Sequence, residues 1–296
     1  MASQSAFLFG RAPATDLAPG KDRLFAGLRH DGKSVASGRY EHCTFANVSF
    51  LKARLEDIEF IDCAFLSCYF RRAEIYNVRV IGCKFIDCDF PHLAITGSVF
   101  KYCRFSNCYI DFAEMQHNMP SEANIREDLS RNLTLECAKL GASAASRRYR
   151  FTEIEAHETL LWNAVKGEGT WYKKHYPGVR RFTAFIQYVG SVVDRHLWGY
   201  GERPWILLRN FVALTIIVFP IIYASAADQF RPRPEGGHVS ISQCILFSAD
   251  RVLTADPLAD IVAQSGLMRA VAAAETVCGV AALALFASML FKRISR

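Results

Sequence analysis

Seven cysteines fall into two columns at a spacing of twenty: Cys43, Cys63, Cys83 and Cys103 in one, and Cys68, Cys88 and Cys108 in the other, whose first place is Val48. Thiols in register could form disulfides, hold a soft metal or simply fill space. Stacked neighbours would come close, but parallel Cβ vectors in successive layers disfavour the disulfide dihedral. A zinc column would call for histidine or a C-x-x-C pair, and the columns contain neither. The chemistry that remains is packing of compact buried thiols in a reducing compartment. No metal or cofactor is expected.

Enzymatic chemistry finds no other footing. The chain has no G-x-G-x-x-G, no phosphate-binding loop, no nucleophile elbow and no H-E-x-x-H, since His157-Glu158 lacks a second histidine at the right distance. One carboxylate is conspicuous by its surroundings. Glu275 stands about 12 Å along a helix from Leu267 in an apolar stretch, where charge is costly unless it faces protein or water. It either points inward, toward Ser240 to Val252 and Arg251, or sits at an interface ahead of a short apolar segment starting at Thr276.

These residues need elements to position them. From Tyr40 to Met115 every fifth residue is large and apolar, as in Phe45, Phe50, Leu55, Phe60 and Phe65, and two places before each is a small or compact one. A period of five fits neither helix nor strand, so the segment must coil as a solenoid. With five residues per side and four sides per coil, position n stacks on n+20. That spacing is the one the cysteines show, and also Phe45, Phe65, Phe85 and Phe105. The pattern resembles the pentapeptide-repeat family, which implies a right-handed quadrilateral β-helix over 38–118. Lys52, Arg54, Arg71, Arg72, Lys84 and Arg104 dilute the acidic surface that DNA mimicry would need. No nucleic-acid partner is expected.

Two apolar stretches follow, long enough to cross ~30 Å of hydrocarbon. Trp205 to Ala227 (205–227) includes seventeen uncharged residues from Phe211, and the second runs from Leu267 through Phe291 (267–292). Seven basic residues from Lys173 to Arg209 oppose only Asp194 and Glu202, whereas Asp228 to Gly266 carries three arginines against five acids. By the positive-inside rule, both termini and the solenoid are cytoplasmic, which also accounts for much of the +6 net charge. Ala6 to Phe9 is too short an apolar run for a cleavable signal peptide. Between solenoid and spans, Ser121 to Leu140 and Ala142 to Val165 read as connector helices. Phe182, Ile186, Val189, Val193 and Leu197 then make Arg180 to Trp198 amphipathic. Its apolar stripe would lie on the inner membrane surface or against the connector.

The order of these parts, with Gly199-Tyr200-Gly201-Glu202-Arg203-Pro204 before the first span, Phe247-Ser248 between the spans, and Glu275 with Gly279 in the second, carries a further resemblance. It is similar to pentapeptide-repeat proteins bearing a two-span potassium-channel-type module. The resemblance implies four subunits around a pore and a re-entrant pore helix over Ser240 to Val252. The filter departs from that pattern: Thr254-Ala255-Asp256-Pro257-Leu258-Ala259-Asp260 has Pro257 and Ala259 where two glycines would turn carbonyls toward the ion. Potassium selectivity is therefore not carried over. Either a ring of Asp256 or Asp260 forms a wider cation entrance, or the loop is an acidic linker between two anchors. Ala274 and Cys278, with Ala270 and Ala282, form a small-residue stripe that permits close helix approach, and Gly279 and Pro220 are bend points.

The resulting organisation is an N-terminal segment (1–37), the β-helix (38–118), an α-helical connector (119–179), the amphipathic helix with its lead-in (180–204), two transmembrane helices (205–227, 267–292) flanking an outer loop (228–266), and a tail (293–296). The expected function is an oligomeric, cation-conducting membrane channel with a cytoplasmic sensor or assembly domain. The alternative is a non-conducting, membrane-anchored scaffold whose rod binds a cytoplasmic protein.

Overall fold

The computed structural model describes residues 13–232, 238–253 and 261–294. Two compact units divide the chain, one ending at Phe185 and the other starting at Ile186.

The first unit is built on a β-solenoid of about four turns. Short parallel strands pair at an offset of twenty: Leu24–Ala26 with Thr44–Ala46, Ala64–Leu66, Lys84–Ile86 and Arg104–Ser106 along one ladder. A second ladder includes Arg54–Ile61, Glu74–Tyr76 and Ala94–Thr96, a third includes Arg79–Ile81 and Val99–Lys101, and single bridges through Ser49, Tyr69 and Asp89 mark the fourth. Along each side the residues alternate buried, outward, buried, as Cys83-Lys84-Phe85 does. Phe25, Phe45, Phe65, Phe85 and Phe105 stack with centroids 4.7–4.8 Å apart. Isolated rings prefer offset or edge contacts; here the spacing of the strands, ~4.8 Å, dictates the stack.

The ladder starts before Gly38, inside the stretch assigned as an N-terminal segment. Thr44 N–H bonds Arg23 O at 2.9 Å and Arg54 N–H bonds Lys33 O at 3.0 Å. Arg23, His30 and Lys33 interrupt the apolar period there, while the backbone pairing continues through them.

The solenoid cysteines are buried free thiols. Each donates to a carbonyl of the preceding coil, as Cys68 Sγ does to Phe45 O at 3.2 Å and Cys103 Sγ to Val80 O at 3.4 Å. Burial pushes the Cys103 thiol up to about 12, so it stays protonated and inert.

Every fifth residue from Asp22 to Asn107 turns a corner with φ between 49° and 68°. That left-handed conformation costs a side chain about 1–2 kcal/mol, least for Asn and Asp. Asparagine also links coils, Asn107 Nδ2 donating to Asp87 Oδ1 at 2.7 Å. Tyr102 occupies such a corner with an exposed ring. Tyr102→Asn is expected to stabilise the solenoid by about 0.5–1 kcal/mol, and Asn77→Val to destabilise it by about 1–2 kcal/mol, read as shifts of the denaturation midpoint.

Where the coils stop, side chains stand in for the missing strand. Ile95 N–H is taken by Glu114, Ser98 N–H by Asn118 Oδ1, Phe105 N–H by Asn132 Oδ1 and Asn107 N–H by Glu136, at 2.7–3.0 Å. Asn132 and Glu136 belong to the first connector helix (Ala123–Lys139), whose Leu129, Leu133 and Cys137 join the solenoid core. The second connector helix (Ser143–Lys166) buries Tyr149, and its hydroxyl donates to Ile110 O at 3.1 Å.

An ion cluster ties the two connector helices together: Arg131 meets Glu127 and Glu153, and His157 Nδ1 lies 3.2 Å from Glu127. The hydrogen bond to Glu127 raises the His157 pKa against its partial burial. Burial works against the Glu127 charge, but His157 and Arg131 outweigh it and hold that carboxylate low. The histidine contribution is complete below its ordinary 6.5 and fades as pH rises through the raised value. The carboxylate contribution is complete above 4.5 and fades as pH falls. Stability of this helix pair should therefore be greatest between 4.5 and 6.5 and fall on the alkaline side. The loss should stay below about 1 kcal/mol because His157 is half exposed, and His157→Gln should abolish it in thermal unfolding scans across pH.

The amphipathic helix (Val179–Trp198) is continuous, and Phe182, Ile186, Val189, Val193 and Leu197 on it are all exposed. In the second unit, two helices are long and apolar enough to cross a membrane: Pro204–Ser225 and Gly266–Ile294. Only 11% and 17% of their most apolar windows are buried, which does not suit core helices of a soluble domain. Between them lies a shorter helix, Ile241–Leu253, and an antiparallel pair, Phe230–Pro232 with Ile261–Ala263, that no sequence pattern announced.

Candidate functional site

The first apolar helix changes register in its middle. Leu214–Val218 is π-helical, and Phe219 N–H reaches back to Leu214 O. The next donor in that register would be residue 220, but Pro220 has no N–H. Thr215 O is left without its backbone partner, and Ser248 Oγ, from the helix Ile241–Leu253, donates to it at 2.7 Å. Pro220 thus creates an acceptor that the shorter helix fills.

Ser248 also contacts Glu275 Oε1, and Tyr223 OH donates to Glu275 Oε2 at 2.5 Å. All three side chains are buried, Glu275 at 1% exposure. The carboxylate therefore faces protein, the inward alternative of the two the sequence left open. Arg251 is not among its hydrogen-bond partners. Its guanidinium lies 4.9 Å from the Phe247 ring centroid, and the hydroxyls of Ser248 and Tyr223 hold the carboxyl. A serine hydroxyl has one hydrogen, which serves Thr215 O or Glu275 but not both. Both contacts are filled together when the carboxyl is the donor to Ser248.

Aromatic rings fix this cluster. Tyr223, Phe230 and Phe247 meet edge to face, with centroids 5.2–5.5 Å apart, and Cys244 is buried beside them. Farther along, Gly279 admits the same short helix: a Cβ there would stand 3.2 Å from Val252 Cγ2. Gly279 is a close-approach residue. An apolar cavity of about 240 Å³, bordered by Leu207, Phe211, Thr215, Val252, Glu275 and Gly279, opens beside the cluster.

The lead-in Gly199-Tyr200-Gly201 forms three successive left-handed residues, φ 59°, 56° and 70°. Asn210 of the first apolar helix reaches back across this turn. Its Nδ2 donates to His196 O and Leu197 O at 2.5 and 2.9 Å, capping carbonyls that the end of the amphipathic helix leaves open.

Of the expected site residues, Phe247, Ser248, Glu275, Gly279 and Pro220 are brought together, and Arg251 joins through its ring contact. Ala274 and Cys278 are exposed; the second apolar helix buries Met268, Ala272, Glu275 and Gly279 instead, so the small-residue stripe is not what packs this chain against itself. Thr254, Ala255, Asp256, Pro257, Leu258, Ala259 and Asp260 lie outside the described residues. Tyr223, Phe230 and Asn210 escaped the sequence reading. A tyrosine in an otherwise apolar run was the available signal for the first of them. In comparison with known proteins, no protein-family description matches this chain, and no curated protein matches it significantly.

Proposed function

We propose that this chain is a pentapeptide-repeat membrane protein with a right-handed β-helix, assembling as an oligomer, a tetramer by its resemblance, that conducts cations without conventional potassium selectivity. The observation that carries this reading is the depth at which the short helix packs. Ser248 bonds Thr215, near the middle of the 22-residue helix Pro204–Ser225, and Val252 abuts Gly279, near the middle of the 26-residue stretch Gly266–Phe291. The short helix has 13 residues, about 20 Å, too few to cross a bilayer itself. If the two long helices span, its C-terminal end sits at mid-depth; the acidic segment with Asp256 and Asp260 follows in the sequence, and those carboxylates from several subunits would draw cations. Both termini and the solenoid then lie on the cytoplasmic side, where the basic flanks belong.

The full chain reconstituted in a planar bilayer should pass cation current that Asp256→Asn reduces. Thiol labelling of Asp256→Cys and Ala259→Cys should be restricted. Absence of current under voltage, pH and tension steps, with free labelling at both positions, would favour the second reading, a membrane-tethered scaffold whose solenoid binds a cytoplasmic protein.

A further inference from the structure

A second cavity lies wholly within the first unit, where the solenoid cap meets the connector helices. It measures about 410 Å³ and is bordered by Phe112, Gln116, Met119, Arg126, Thr152, Glu155 and Thr159. That size falls in the range of small-molecule sites.

Opposite charges border it. Some cations of the connector helices meet acids, as Arg131 does Glu127 and Glu153, Lys139 does Glu136 and Lys166 does Glu168, whereas Arg147, Arg148 and Arg150 pair with none among the described residues. Among the described residues Arg126 meets no carboxylate within 4 Å, although Glu155 borders the same cavity. A guanidinium and a carboxylate thus face one space without closing on each other. Beside Glu155, the Thr152 and Thr159 hydroxyls donate to carbonyls of their own helix, at 3.3 and 2.8 Å. Their lone pairs remain as acceptors, which suits a ligand that brings N–H donors. Phe112, held edge-on by Tyr149 with centroids 5.0 Å apart, and Met119 supply an apolar wall.

We infer that this cavity binds a free α-amino acid with an apolar side chain: its carboxylate on Arg126, its ammonium on Glu155 and the threonine oxygens, and its side chain against Phe112 and Met119. A planar guanidinium pairs a carboxylate through two parallel bonds, and charge-assisted bonds of this kind are the strong ones. Occupancy would fasten the cap to both connector helices. The inference stands apart from conduction.

Isothermal titration of the full chain in detergent micelles with L-leucine, L-methionine and L-phenylalanine tests it. At least one should bind, while 4-methylpentanoate, which lacks the ammonium, and 3-methylbutylamine, which lacks the carboxylate, should bind about tenfold or more weakly than leucine. Arg126→Gln should weaken leucine binding by about tenfold or more yet leave the amine unaffected, and Glu155→Gln should do the converse with the carboxylate analogue. Circular dichroism and the unfolding midpoint of both variants should match the parent, since neither side chain makes a hydrogen bond or ion pair among the described residues. No binding of the three amino acids at about 10 mM would overturn the inference, as would unchanged leucine affinity in Arg126→Gln.

Discussion

Phe65→Ala is expected to cost the solenoid about 3–5 kcal/mol, the largest loss of any single side chain in the rod. Phe65 is 2% exposed and lies between Phe45 and Phe85, each 4.7 Å away and within 7° of parallel. Phe60 and Phe70 close on its edge at 5.3 and 5.9 Å. The backbone ladder fixes the spacing of the coils, so neighbouring rings cannot collapse into the vacancy, and the cavity penalty adds to the lost transfer energy. In a one-dimensional stack the damage also weakens both adjoining interfaces. Hydrogen exchange of the full chain should show amides of the flanking coils losing protection together, with Phe65→Leu costing much less. A loss below about 1 kcal/mol would mean that the stack is not continuous.

Glu275→Leu should destabilise the second unit by about 1–3 kcal/mol, because Tyr223 OH and the second contact of Ser248 lose their partner in apolar surroundings. Glu275→Gln should be nearly neutral: its amide N–H₂ donates to Ser248 while its carbonyl accepts from Tyr223, the arrangement a protonated carboxyl makes. Thermal unfolding in detergent distinguishes the two variants. Equal losses from Leu and Gln would show that a negative charge, and not a pair of hydrogen bonds, is what the cluster holds.

The rod was largely legible in the sequence because its period sits in side-chain size: Phe45, Phe65 and Phe85 are large in every coil, and Cys43, Cys63 and Cys83 compact. Legibility ended where size stopped mattering. From Gly20 to Ser37 the coil continues on backbone bonds around Arg23, His30 and Lys33, which carry no periodic signal. The corner residues Asn47, Asp57, Asn77 and Gly82 offered a second signal at the same spacing, that of left-handed turns, which depends on backbone conformation and not on apolarity. At the candidate site, the sequence could show that Glu275 needed a partner and that Ser248 lay in the segment to provide it. The other partner, Tyr223, is 52 residues away, and no local pattern relates a hydroxyl to a carboxyl over that distance. Thr215 is subtler: its vacant carbonyl follows from Pro220 only once the helix is known to be π-helical.

The side chains of Glu114, Asn118, Asn132 and Glu136 that close the last coil also shut one route by which copies of this protein would associate. An open parallel ladder would template another rod and grow fibres end to end. With those amides already occupied, that end of the rod is chemically finished, and any higher assembly would have to be built sideways or through the apolar helices.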